Sequence, residues 1–405
     1  MKKINVTLTI ASKQLDIGSL EIYQSRGHEF YQFIYHNDWI HSSQNFAIDP
    51  ALELAANMPY RSDKLCGVFQ DISPDRWGRL VQNRLHHTFL SESDYMLGVS
   101  DFMRMGALRL SDSENPTIYL ANHHEMPKLF QLRELETAAR HLEAGEETTE
   151  ELALIAQPGS SLGGAHPKVS IGDNGKLYIA KFQSNNDSER INLWEATALA
   201  LANEVGIKTT NFQLLNHQSE RPILLVERFD RLNKNRIPFM SAMTILERNE
   251  TNSHDASYLE LADAISYYSS QPKVDKSELW LRMTFYTLIG NIDDHLRNHA
   301  FLRNKIGWQL SPAYDINPVN FKYEKRNHQL SYDGYQTKPS LDKCIEMAEY
   351  FELNNKEINA HLQKLAKSLK KWRKIAKAHH LTAEEIKRME NAFEHHDTEK
   401  LLNCF

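Results

Sequence analysis

The chain is short of cysteine, of net positive charge and of long apolar runs, and each shortage removes a class of protein. Its three cysteines, Cys66, Cys344 and Cys404, are scattered over 405 residues. They make neither a disulfide framework nor a Cys-x-x-Cys zinc motif, so a reducing, cytoplasmic setting is expected. A net charge of −6 argues against broad non-specific nucleic-acid binding and leaves room only for a local basic patch. No run approaches the roughly 18 apolar residues of a membrane span, so no membrane partner is expected. The opening Met-Lys-Lys-Ile-Asn-Val-Thr-Leu-Thr-Ile alternates and reads as a strand, not as the apolar centre of a signal peptide. Internal repeats and low-complexity tracts are lacking. The histidines include four adjacent pairs, His86-His87, His123-His124, His379-His380 and His395-His396. None has the spacing of a metal-ligand set, and a surface position is expected for them.

The remaining composition, 41% hydrophobic and 25% charged, is that of a globular protein long enough for two or three domains. Residues 1–40 alternate as half-buried strands, with Ile4, Val6, Leu8 and Ile10 on one face. Ser73-Pro74 reads as a helix start, Ser73 the cap and Pro74 in the first turn. Trp77, Leu80, Val81, Leu85 and Phe89 follow at helical spacing. Met105 to Leu110 reads as a strand leaving a turn, and residues 129–144 as a helix. From about residue 240 onward helices dominate. Residues 277–290 are apolar nearly all round and should be buried. Residues 356–377 carry an apolar seam, Ile358, Leu362, Leu365, Leu369 and Trp372, beneath lysines that form either a solvated face or a docking face for an acidic partner. Thr382 and Glu385 form a capping box.

Chemistry concentrates in four tracts. Residues 157–168, Gln-Pro-Gly-Ser-Ser-Leu-Gly-Gly-Ala-His-Pro-Lys, can bring backbone amides close to phosphates or can be a plain turn. They fit neither a Walker loop nor a Rossmann turn. Asp173-Asn174-Gly175 then turns a hairpin. Lys181 continues the apolar face of Leu177 and Ile179, where it needs an anionic partner or must snorkel to water; Lys168 is the fallback. The helix of residues 188–205 carries Glu195 beside its apolar seam, facing either inward toward Lys181 or solvent. Val226-Glu227-Arg228-Phe229-Asp230-Arg231 offers a backbone edge with apolar cover from Phe229, or a salt-bridged strand exit. Finally, Asp293, His295 and Asn298 are followed by Asp315. Asp-x-x-x-x-Asn with a later Asp is the spacing of a kinase catalytic loop, in which one Asp meets the attacking hydroxyl and the Asn and second Asp hold magnesium. The same residues also suit a capped polar turn, and Asp293, Asp294, His295 and His299 a hydrolytic metal site.

Six motifs, in order, resemble those of the HipA family of bacterial toxin kinases: Ser-Pro-Asp-Arg-Trp-Gly-Arg at 73–79, Met-Gly-Ala-Leu at 105–108, Ser-Leu-Gly-Gly-Ala-His-Pro-Lys at 161–168, Val-Glu-Arg-Phe-Asp-Arg at 226–231, Asp-Asp-His-Leu-Arg-Asn at 293–298 and Tyr-Asp-Ile-Asn at 314–317. The resemblance implies an α+β, bilobed, protein-kinase-like fold with a β-rich N-terminal subdomain and a mainly helical C-terminal lobe. It divides the chain at 1–127, 128–232 and 233–405. It implies a serine/threonine kinase using ATP and Mg2+, with Asp293 as base and His295 in the catalytic loop. Asn298 and Asp315 become metal ligands. Ser161, Gly163, Gly164, Ala165, Lys181, Glu227 and Phe229 become the ATP site. Ser161, or adjacent Ser160, becomes the autophosphorylated serine; the added charge of roughly −1.5 to −2 should switch the enzyme off. Implied partners are a protein substrate such as an aminoacyl-tRNA synthetase and a HipB-like helix-turn-helix antitoxin, with operator DNA met only through the antitoxin. A small-molecule phosphotransferase and a catalytically silent regulator that docks a DNA-binding partner are the rivals. Asp294 stands where a small residue is common in the family.

Overall fold

The computed structural model describes residues 1–10, 13–121, 126–156, 164, 166–233, 235–322 and 325–405. They form two compact units. One contains Met1–Asn185 and Glu227–Arg248, the other Asn186–Val226 and Asn249–Phe405. The cuts differ from the three segments expected from the sequence. Residues 186–226 leave with the helical unit, and the tract after Glu227 returns to the first.

The first unit opens with the strands β1 (Lys2–Ile10), β2 (Lys13–Ser25) and β3 (His28–Tyr35), as the alternation of residues 1–40 implies. With β4 (Tyr60–Ser62) and β5 (Leu108–Asp112) they make an antiparallel sheet in the order β4-β3-β2-β1-β5. Ile4 pairs with Leu20 and Val6 with Leu110, and these join Leu8, Ile22 and Phe33 in one apolar core. The opposite face is also buried, through the small polar residues Asn5, Thr7, Ser19 and Ser111. The helix Arg76–His86 corrects the sequence expectation of its start. Asp75 is the cap, accepting from the Gly78 N–H at 2.7 Å, and Pro74 lies before it. The Ser73 hydroxyl instead donates to Phe69 O at 2.8 Å, closing the preceding turn. Trp77 and Val81 are buried, whereas Phe89, beyond the helix, is 90% exposed. The helix Leu132–Ala144 forms as expected. β6 (Lys168–Asp173) and β7 (Lys176–Lys181) are joined by Asn174 and Gly175, both at positive φ (47° and 79°), the conformation that favours an Asn-Gly hairpin turn.

In the second unit the helix Ile191–Val205 ends at Gly206 in a left-handed cap, φ 97°. The strands β8 (Phe212–Leu215) and β9 (Ile223–Glu227) pair antiparallel. The helix Pro272–Ile289 is buried from Leu279 to Ile289 on every side. Residues 356–377 form two helices, Asn355–Leu369 and Trp372–Ala378, with a break at Lys370 and Lys371. Leu362, Leu365 and Leu369 are buried, and the Ser368 hydroxyl donates to Leu201 O at 3.0 Å, docking the first of these on the helix Ile191–Val205. The box at Thr382 and Glu385 forms as expected. The surface expectation fails for His395. It is 7% exposed, its Nε2 lies 3.2 Å from Leu288 O, and burial brings its pKa down to about 3. Among the described residues no helix is long and apolar enough to cross a membrane.

Candidate active site

The catalytic-loop candidates belong to the second unit, and rigid elements deliver them. Gly290 closes the buried helix at φ 68°; a Cβ there would sit 3.0 Å from Arg326 Nη1 and 3.3 Å from Ala392 Cα, so the tight exit from this helix favours glycine. The chain then passes residues 291–295 into the short turn Leu296–Asn298 and the strand Ala300–Arg303, which pairs with Trp308–Leu310. Asp293 is exposed and His295 half-buried. Asn298 is 8% exposed; its Nδ2 donates to Asp293 O and its N–H to His295 O, both at 2.8 Å. These two bonds fold the loop back on itself.

Asp315 lies on a segment bonded to that loop. The Asn317 N–H donates to Asn291 Oδ1 at 2.9 Å, the Val319 N–H to Gly290 O at 3.1 Å, and the Tyr314 hydroxyl to Arg297 O at 2.6 Å. Asp315 itself is left-handed, φ 57°, a sparsely populated conformation for a residue other than glycine and one that clusters at functional sites. Its Oδ1 accepts from Asn317 Nδ2 at 3.1 Å. With its amide nitrogen committed to Asp293 O, Asn298 has Oδ1 as its donor atom toward a cation. Asn298 and Asp315 together form an all-oxygen set, which fits a hard ion such as magnesium and not a soft one. The hydrolytic metal reading does not fit. Among the described residues no cluster of three His, Cys, Asp or Glu could hold a metal. Asp294 is fully buried, bonded to the Tyr258 hydroxyl and 3.3 Å from His328 Nδ1. His299 is fully buried as well, and burial holds it neutral, with a pKa near about 4.

The remaining candidates belong to the first unit. Ser160, Ser161, Gly163 and Ala165 lie outside the described residues. Gly164 is described at φ 111°, where an added Cβ would meet Lys168 Nζ at 2.8 Å. Lys168 is 4% exposed, and its Nζ lies 3.1 Å from Asp75 Oδ2. Burial pushes the Asp75 carboxyl up, and the ammonium opposes that shift. Lys168 and Lys181 are direct partners in the β6–β7 register. Lys168 thus meets an acid 93 residues upstream, and Lys181 lies half-buried at the end of its strand. Glu195, in the second unit, is 3% exposed, which decides against a solvated side chain.

Glu227 lies 2.9 Å from Lys176 Nζ, a partly exposed pair, and Phe229 stacks on Phe239 with centroids 6.4 Å apart. Between and after them the chain is clamped. The Asp230 carboxylate accepts from Arg228 Nε at 2.9 Å and Nη2 at 2.7 Å, from Arg231 Nη1 at 2.5 Å and from the Gly106 N–H at 2.7 Å. Arg228 and Arg231 also donate to Met103 O and Arg104 O, at 2.7 and 2.8 Å. Burial alone would raise the Asp230 carboxyl, but the two guanidinium groups outweigh it and hold it well below the usual carboxylate range. The ion pairs of Arg228, Asp230 and Arg231 are those of the salt-bridged strand exit, but sequence reasoning missed their reach to Met103, Arg104 and Gly106, the Asp75–Lys168 pair and the seat of Asp294. Each of these missed contacts joins residues far apart in the chain.

The chain matches the HipA-like C-terminal domain over residues 160–386 and the HipA N-terminal domain over residues 8–111. The serine/threonine-protein kinase CtkA of Helicobacter pylori is 26% identical over 168 residues, 39% of this chain and 51% of that relative. The match thus spans about half the length of that curated relative. Among solved structures, the Shewanella oneidensis toxin–antitoxin system of HipA, HipB and operator DNA contains a chain of the same fold. It is 17% identical, with a TM-score of 0.71, covering 99% of this chain and 96% of that one. The expected α+β, HipA-like fold is the one these two share.

Proposed function

The chain belongs to the HipA family, and from that premise we propose that it is a magnesium- and ATP-dependent serine/threonine protein kinase, the toxin of a HipBA-like toxin–antitoxin pair. The observation that carries this reading is the seat of Asp293. It is exposed on a loop whose backbone is bonded to Asn298 and to the Asp315 segment. Likeness to a curated serine/threonine kinase supports it. Asp293 orients the acceptor hydroxyl and receives its proton, beside His295. Asn298 and Asp315 would hold the metal, and Lys181, Gly164 and the backbone between Glu227 and Phe229 would hold the nucleotide. Magnesium and ATP, when bound, supply charge neutralisation and the γ-phosphoryl group.

The substrate is a protein of translation such as an aminoacyl-tRNA synthetase, and Ser161 or Ser160 is the self-limiting phosphosite. A HipB-like antitoxin is the partner, as in the Shewanella complex, and DNA is reached through it. The three segments 1–127, 128–232 and 233–405 serve as N-terminal subdomain, nucleotide lobe and catalytic lobe.

Phosphopeptides compared by mass spectrometry after brief expression of wild type and of Asp293→Asn test the proposal. The variant should lose transfer by about 10²–10⁴-fold, so sites seen only with wild type name the substrate. Label passing from ATP to metabolites and to no protein would replace the substrate class. Identical phosphopeptide sets would end the kinase reading.

A further inference from the structure

Asp293 and Asp294 are neighbours with opposite fates: the first is exposed and the second is 0% exposed. The buried carboxylate is not spread over chance contacts. Oδ2 accepts from the Tyr258 hydroxyl, and Oδ1 lies 3.3 Å from His328 Nδ1, within reach of its N–H in the Nδ1-protonated tautomer. Burial, reinforced by the Asp294 charge, raises the Tyr258 phenol well above its ordinary pKa and keeps it a donor.

The two donors are fixed to one another by backbone. The Tyr258 N–H donates to Ser331 O at 2.9 Å, and the His328 N–H donates to Thr337 O at 2.8 Å. The same segment reaches the loop itself, with the Gln329 N–H donating to Ile292 O at 2.9 Å. Tyr258 is further held by stacking near Tyr332, centroids 6.4 Å apart, and edge-on against His299 at 5.7 Å. Asp294 therefore enters a socket whose walls do not depend on it. A carboxylate turned away from both donors inside this interior would be strongly unfavourable, so a single setting of the loop satisfies it. That setting sends the preceding side chain, Asp293, outward.

We propose that Asp294 is the positioning residue of the catalytic loop: gripped by Tyr258 and His328, it sets the direction in which Asp293 meets the acceptor hydroxyl. The inference rests on the kinase reading of Asp293. The test uses the purified full chain, with labelled ATP and magnesium, and follows transfer to the chain itself and to proteins of a bacterial extract. Wild type, Tyr258→Phe, Asp294→Asn, Asp294→Ala and Asp293→Asn are compared, with kcat taken per folded molecule. Tyr258→Phe should lower kcat about 10–100-fold, the effect of a misdirected catalytic group. The KM for ATP should stay within about two-fold, because no contact to the nucleotide is removed. Asp294→Asn, which keeps one acceptor oxygen, should retain more activity than Asp294→Ala. A wild-type kcat in Tyr258→Phe and Asp294→Asn, with only their melting temperatures lowered, would reduce the socket to a stabilising contact and overturn the inference. Full transfer by Asp293→Asn would instead overturn the kinase reading beneath it.

Discussion

Around Asp230 the chain is tied by arginines on a buried carboxylate and on carbonyls, whereas the backbone of the Asp293 loop is tied to its neighbours by amides, carbonyls and hydroxyls. The first tract is tied by two arginines on one buried carboxylate and by guanidinium groups on the carbonyls of Met103 and Arg104. The second is tied by Asn298 on Asp293 O, Asn317 on Asn291 Oδ1 and Tyr314 on Arg297 O, with one buried carboxylate, Asp294, beneath. Both devices fix a loop in place, but they fail differently. An ionic clamp stripped of one partner leaves uncompensated charge in the interior. A neutral lattice loses one bond at a time. The difference also suits their tasks. The tract beside Phe229 is proposed to hold a ligand in register, while the Asp293 loop is proposed to present an exposed acid that exchanges a proton.

The sharpest way to break this contrast is to remove the centre of each device. Asp230→Ala should cost about 3–5 kcal/mol of stability, read as a lowered midpoint in urea, because the buried Arg228 and the half-buried Arg231 stay behind without their acid. Asn298→Ala should cost only about 1 kcal/mol in the same measurement, yet abolish most transfer through loss of the proposed metal ligand. Equal losses of stability would remove the distinction.

Acid should separate the two devices next. The folded pKa of His395 is depressed to about 3, against an unfolded value near 6.5. Its stabilising contribution is complete above pH ~6.5 and is lost as pH falls toward ~3, in total on the order of 5 kcal/mol. Asp230 is likewise depressed, so its contribution is complete above the unfolded carboxylate range near ~4 and is lost only at lower pH. Melting followed between pH 7 and 4 should show His395→Gln with a flatter profile than wild type, and Asp230→Asn with an unchanged slope.

A smaller effect concerns the two facing lysines. Lys168→Met should lower stability by about 2–3 kcal/mol by stranding Asp75. Lys181→Met should raise the KM for ATP roughly ten-fold or more. Smallest of all, Thr382→Ala should cost about 1 kcal/mol through loss of its cap, with activity intact.

What the sequence disclosed followed from how local each cause was. The Asn174-Gly175 turn, the Gly206 stop, the Thr382 box and the buried run before Gly290 each depend on residues within one or two turns, and all are read directly from pattern. The start of the helix Arg76–His86 shows the limit of such reading. Ser73 is the cap expected from the sequence, but Asp75 takes that place, and it also meets Lys168. The Asp293, Asn298 and Asp315 spacing was legible, but the opposite exposures of Asp293 and Asp294 were not. Their sorting depends on Tyr258 and His328, each more than 30 residues away. His395 is similar: nothing near it in sequence announces that Leu288 O will lie beside it.

The most direct measurement of the central claim is phosphate transfer from ATP by the purified chain with magnesium, wild type beside Asp293→Asn, at ATP concentrations that saturate both. The account predicts equal nucleotide binding and a loss of transfer of at least about 100-fold in the variant. Equal binding with undiminished transfer would contradict it.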